Sequence, residues 1–109
     1  ASIGMTEEEA INNGFEIKVG RFPMAANGKA LAEGSKEGFA KVVVDSKNGE
    51  ILGSHLLGSD VTELLGELSI AKILDGTNLE IGNLINAHPS ISEVVKEAAL
   101  AVDGNAIHV

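Results

Sequence analysis

The chain has 109 residues, 44% hydrophobic but only 3% aromatic, which suits one domain with a core of Ile, Leu, Val and Ala. Its formal net charge is -8, from 16 acids against 8 bases, and that balance argues against a nucleic-acid backbone or an anionic membrane as partner. With no cysteine there is no disulfide, thiolate nucleophile or Cys-based metal site, and neither a signal peptide nor a bilayer-length apolar run is present.

Ala1 opens a segment that reads as the end of a strand, without a methionine, as in a domain cut from something longer. Thr6-Glu7-Glu8-Glu9 has the form of a capping box, so a short helix is expected over 7–13, stopped by Gly14. Phe15, Ile17, Val19 and Phe22 alternate with polar neighbours, which predicts a half-buried strand. Residues 23–38 are rich in Ala and Gly and carry no clear assignment. Residues 39–45 read as a β-branched strand, Asn48-Gly49 as a hairpin turn and 51–57 as its return strand. The pattern is an antiparallel meander with no βαβ crossover.

The second half is helical in pattern and more acidic. From residue 59 onward it holds Asp60, Glu63, Glu67, Asp75, Glu80, Glu93, Glu97 and Asp103 against Lys72 and Lys96, a composition expected of a solvated face. Asp60 is expected to cap a helix running to about Leu74, with Gly76 past its end. Val61, Leu64, Leu65 and Leu68 make one stripe, and Ile70, Ala71, Ile73 and Leu74 widen it beyond one face. Such a helix needs cover on two sides, from the sheet and from a neighbouring helix or another chain. Thr77-Asn78-Leu79-Glu80 caps a short helix ending near Ile85, and a last helix over 91–102 ends at Asp103-Gly104. Strands first and helices after predict an α+β fold, an antiparallel β-sheet with helices packed on one face.

Three histidines are candidates for chemistry. His55, inside an apolar strand, reads as structural, and His108, in the C-terminal tail, as incidental. His88 differs through its neighbours, Pro89-Ser90-Ile91-Ser92-Glu93. A histidine exchanges protons near neutral pH, and a nearby carboxylate can orient its ring and stabilise its charged form. Pro89 allows a cis peptide. Glu93 has two readings: it orients His88, or it completes a Ser90-x-x-Glu93 capping box for the last helix. Histidines so far apart, without a third ligand, argue against a metal.

The segment Ala87-His88-Pro89-Ser90-Ile91-Ser92-Glu93, with Val94-Val95-Lys96-Glu97-Ala98-Ala99 after it, resembles the C-terminal signature of the dihydrolipoamide dehydrogenases, members of the pyridine-nucleotide disulfide oxidoreductases. The likeness extends to Ala1-Ser2-Ile3-Gly4-Met5-Thr6-Glu7, Phe39-Ala40-Lys41-Val42, and residues 51–58 with Glu63-Leu64, and so over essentially the whole chain. Asn86, where many relatives carry a second histidine, and Thr62, where the group often has a smaller residue, are departures. The resemblance implies a single C-terminal interface (dimerisation) domain over 1–109, with the FAD and NAD domains of the parent enzyme elsewhere. It implies that His88 is the base facing a dithiol substrate and a redox cysteine pair, that Glu93 orients it, and that the His88–Pro89 peptide is cis. His88 and Pro89 would lie near the partner subunit's flavin, completing the other active site of a homodimer. FAD and NAD would serve the full-length enzyme, none being held tightly by this chain, which alone would be inactive. The implied partner is a lipoyl-bearing protein of a 2-oxoacid dehydrogenase or glycine cleavage complex, in bacterial cytoplasm or mitochondrial matrix. The competing readings are the interface domain of another disulfide reductase, such as glutathione reductase, and a stand-alone oligomerisation module.

Overall fold

The short N-terminal strand closes the sheet at one edge. A computed structural model describes residues 1–108. Its elements are β1 (Ser2–Gly4), α1 (Glu7–Asn12), β2 (Ile17–Pro23), α2 (Gly28–Glu33), β3 (Phe39–Asp45), β4 (Ile51–Leu57), α3 (Leu65–Ile73), α4 (Asn78–Gly82) and α5 (Glu93–Ala101). The four strands form one antiparallel sheet in the order β1-β4-β3-β2. The meander β2-β3-β4 is the one the alternation predicts, and β1 pairs with the free edge of β4.

Asn48 and Gly49 lie in the β3–β4 turn, but this turn is longer than the two-residue loop their pairing usually marks. Asp45 organises it: its carboxylate accepts the Lys47 N–H at 2.9 Å and its carbonyl accepts the Gly49 N–H at 2.8 Å, with Gly49 at φ 79°. A bulge follows, since Val43 pairs with Gly53 while Val44 pairs with Ile51. Leu52 is the extra residue, and it turns to the face opposite the larger core.

The larger core lies between the sheet and α3, α4 and α5. Phe22, Val42, Val44, Ile51, Leu68, Val94 and Val95 meet there. On the other face α1 closes a smaller cluster, in which Ala10, Val43 and Leu52 are packed by Met5, Phe15, Ile17 and Val19. Such aliphatic side chains interdigitate without aromatic bulk, and every methylene lost would be felt. Gly20 lets α5 lie directly on β2: a Cβ there would collide with the Ala98 carbonyl and the Val102 N–H.

Three details differ from the sequence reading. Asp60 does not cap a long helix. It takes the left-handed conformation, φ 61°, without a side-chain cap bond, and a 3-10 turn over Val61–Leu64 precedes α3. An N-cap carboxylate must start from extended backbone to reach the first free N–H groups, and Asp60 does not. Thr77 and Glu80 do form the expected capping box, but α4 ends at Gly82, where Leu100 of the last helix packs against the glycine. The unassigned stretch 23–38 holds a 3-10 turn and α2, which is capped by the Asn27 side chain and ended by Gly34 at φ 72°.

Candidate active site

His88 stands on the loop between α4 and α5, and Glu93 is the first residue of α5. The His88–Pro89 peptide is cis. The imidazole Nδ1 lies 3.0 Å from Glu93 Oε1 and 3.1 Å from Oε2. Glu93 Oε1 also accepts the Ser90 N–H at 3.0 Å. The two readings of Glu93 therefore hold together: one carboxylate caps the entry to α5 and faces the histidine ring. The other half of the capping box is missing, because Ser90 Oγ meets Ser92 Oγ at 3.0 Å.

The pair is unequally placed. The His88 side chain is 74% exposed and that of Glu93 23%. A carboxylate held by a backbone N–H at the start of a helix is fixed in orientation. It then selects the tautomer in which Nδ1 carries the hydrogen, leaving the Nε2 lone pair free to take a proton.

Asn27, which sequence reading passed over, ties this loop to the first half of the chain. It is buried, its Oδ1 accepts the Ala30 N–H at 2.8 Å and its Nδ2 donates to the Ser90 carbonyl at 3.0 Å. An Asn before Gly-Lys-Ala signals a cap, but nothing local announces the second bond, which spans 63 residues.

A cleft of about 200 Å³ opens beside the pair, with Phe22 and Leu31 facing His88, Glu93, Glu97 and His108. The expectation that His108 is incidental is corrected here. Its Nδ1 lies 3.2 Å from Oε1 of Glu97, a carboxylate one helical turn beyond Glu93 that is only 4% exposed. A buried carboxylate needs partners, and the tail supplies them. His55 has the structural place expected of it, with Nε2 3.1 Å from the Met5 carbonyl. Among the described residues no three His, Asp or Glu side chains gather as a metal site. No helix among them is long and apolar enough to cross a membrane.

The outer face of α3 is apolar. Ile70, Ile73 and Leu74 on α3 are 57%, 74% and 72% exposed, and Ile85 beyond α4 is fully exposed. Glu67 lines the adjoining groove with Ile70, Leu74 and Leu84. Among the described residues its Oε1 is buried without a hydrogen-bond partner, and burial raises its carboxyl above the usual range.

Comparison with known proteins identifies the family and the fold. Residues 1–99 match the pyridine nucleotide-disulphide oxidoreductase dimerisation domain. The chain is 50% identical over 108 residues to the dihydrolipoyl dehydrogenase of Bacillus subtilis, covering 99% of this chain and 23% of the relative. It is 44% identical over 108 residues to the enzyme of that name from Zymomonas mobilis, again covering 99% of this chain and 23% of the relative. Among solved structures it superposes on the HOCl-induced flavoprotein disulfide reductase RclA of Escherichia coli with a TM-score of 0.85 and 31% identity, covering 90% of this chain and 22% of that one. The chain thus spans less than a quarter of the length of these relatives. The antiparallel sheet, the helices over it and a sequence match running nearly end to end agree: this chain belongs to the dimerisation-domain family of the pyridine nucleotide-disulphide oxidoreductases.

Proposed function

We propose that the chain is the interface domain of a dihydrolipoyl dehydrogenase, and that in a homodimer it lends His88 and Glu93 to the partner subunit's active site. The observation that carries this reading is the Glu93 carboxylate, 3.0 Å from His88 Nδ1 while also accepting the Ser90 N–H. Identities of 50% and 44% to enzymes named dihydrolipoyl dehydrogenase favour the lipoamide branch over other disulfide reductases. On this reading the FAD and NAD domains lie on the remainder of the polypeptide.

His88 Nε2 takes the proton from a thiol of dihydrolipoamide. The resulting thiolate attacks the redox-active disulfide held by the rest of the enzyme, and one of its cysteines leaves as a thiolate. Glu93 stabilises the imidazolium formed and keeps its ring in place. His88 passes that proton to the departed cysteine thiolate and then takes the proton of the second substrate thiol, whose sulfur attacks the mixed disulfide, closes the substrate ring and releases the other cysteine as a thiolate. FAD and NAD, when bound, supply the electron and hydride transfer. The residues here fit a contact with a flavin rather than a cradle for a dinucleotide: an exposed His88 and Pro89 stand at a cleft rim, and the chain has no Gly-x-Gly-x-x-Gly loop. The exposed Ile70, Ile73 and Leu74 face fits a contact with a second copy. The proposed partner is a lipoyl-bearing protein of a 2-oxoacid dehydrogenase or glycine cleavage complex, in bacterial cytoplasm or mitochondrial matrix.

The test is NADH formation from dihydrolipoamide and NAD by the full-length enzyme, after bound flavin has been recorded in its visible spectrum. His88→Gln should lower turnover about a hundredfold or more, the usual weight of a positioned acid–base group. Equal rates in the variant and the parent, in steady state and in the reductive half-reaction, would remove His88 from the mechanism.

A further inference from the structure

Glu97 poses a problem that the proposed chemistry leaves untouched. It stands on α5 one turn beyond Glu93, and its side chain is only 5% exposed. A buried carboxylate is costly unless its oxygens are well bonded. Among the described residues, its hydrogen-bond partners all come from the C-terminal segment: Oε2 accepts the Ile107 N–H at 2.8 Å and the His108 N–H at 3.2 Å, and Oε1 faces His108 Nδ1 at 3.2 Å.

The chain is steered to this carboxylate by the end of α5. Gly104, at φ 74°, turns it back, with the Gly104 N–H bonded to the Ala101 carbonyl at 3.0 Å and the Asn105 N–H to the Leu100 carbonyl at 2.9 Å. This pair of bonds is a Schellman motif, and glycine suits its left-handed position. Ala106 then packs against the main core, and His108 comes to line the same cleft as His88 and Glu93. Two His–Glu pairs, their carboxylates on successive turns of α5, thus border a single opening that Phe22 and Leu31 also line.

We infer that the docked C-terminal segment is one wall of the active-site cleft, and that Glu97 is the positioning residue that holds it there. The inference deepens the reading of His88 as the base and rests on it for its ligand, the short dithiol arm with its aliphatic chain. Glu97 touches no reacting atom. It acts through the tail, whose place decides how the arm lies when its thiol reaches His88. The effect belongs in substrate binding more than in proton transfer.

The experiment uses the full-length flavoenzyme and two readouts, hydrogen exchange of the C-terminal peptide and steady-state kinetics with dihydrolipoamide. Glu97→Gln keeps the shape but replaces one accepting oxygen with an NH2 group. Exchange in the tail should rise about tenfold, the scale of a lost charge-assisted bond. KM should rise severalfold, with kcat within about twofold and the flavin spectrum unchanged. A chain ending at Asn105 should show the same rise in KM, and Glu97→Gln should add nothing to it, because both changes remove one contact. His108→Ala keeps both backbone bonds to Glu97 and should give a smaller rise in exchange, which secures the test if Glu97→Gln folds poorly. A tail that stays protected in Glu97→Gln, additive effects of the two changes, or a freed tail with KM unmoved would overturn the inference. Tail exchange is read without substrate, so failure here is distinct from a failure of the His88 assignment, which would appear as undiminished turnover in His88→Gln.

Discussion

The corner around His88 and the outer face of α3 are built on opposite plans. At the corner most polar groups answer one another within the chain, although among the described residues Asn86 Oδ1 is buried without a partner. Glu93 serves the ring and the Ser90 N–H, Asn27 holds the Ser90 carbonyl, and Glu97 is bonded by the tail. On α3 the side chains are unanswered: Ile70, Ile73 and Leu74 face outward, and Glu67 Oε1 is buried without a partner. The difference teaches where this domain is complete. On the proposed reading of His88 and Glu93 as an acid–base pair, the pair is preorganised before any partner arrives, so little ordering remains to be done at the moment of reaction. Its apolar face on α3 is left uncovered within this domain, in keeping with a dimerisation domain.

The comparison can be broken most severely at α3. Leu74→Asp in the full-length protein should turn a dimer into a monomer at micromolar concentration, because an unpaired charge buried in an interface costs about 3–5 kcal/mol. Light scattering or sedimentation reads this directly, and an unchanged dimer would place the contact elsewhere. The His88 corner should keep its shape in such a monomer, though activity would fall with the loss of the partner's contribution.

A smaller effect is expected from Glu93→Gln. The amide can still accept from Nδ1 but cannot stabilise an imidazolium as a charge does. Turnover should drop about tenfold, less than for His88→Gln. If activity survives intact while α5 loses stability in hydrogen exchange, Glu93 is a cap and the corner is not a catalytic pair.

The smallest effect sharpens the contrast from the other side. Burial raises the Glu67 carboxyl above its ordinary 4.5. The folded state therefore holds this proton more tightly than the unfolded chain. The resulting penalty is absent below the unfolded value, grows as pH rises through the interval up to the raised folded value, and is fully present above it. Glu67→Gln should raise the thermal midpoint at pH 7 in the Leu74→Asp background, where no second copy covers α3, and should change little near pH 4. The gain should be no more than about 1 kcal/mol, since the side chain is only partly buried. Equal midpoints at pH 7 would mean that the groove solvates the carboxylate well.

Local signals were the legible ones. The alternation around Ile17 and Val19, the β-branched run Val42-Val43-Val44 and the box Thr77-x-x-Glu80 each act within a few residues, and each produced its element. The same locality explains the errors. Asp60 looks like a cap until its left-handed backbone is known, and α2 hides in an Ala- and Gly-rich stretch whose only markers are Asn27 and Gly34. At the site, spacing left Glu93 either a cap or a partner of His88, and only the family resemblance implied the pairing that the geometry shows. Glu97 could not be singled out from spacing, because on a helical pattern it reads as one more acid of a solvated face.

The chain by itself determined the antiparallel sheet, the helical second half and the unpaired apolar face of α3, all of which rest on periodicity or near-neighbour chemistry. Tertiary structure alone decided that α5 rests on Gly20, that Asn27 reaches across 63 residues to the Ser90 carbonyl, and that the tail returns to Glu97. Those choices depend on which long-range closures repay their entropy with buried apolar area and bonded polar groups, and that balance belongs to the whole packed chain rather than to any short stretch of it.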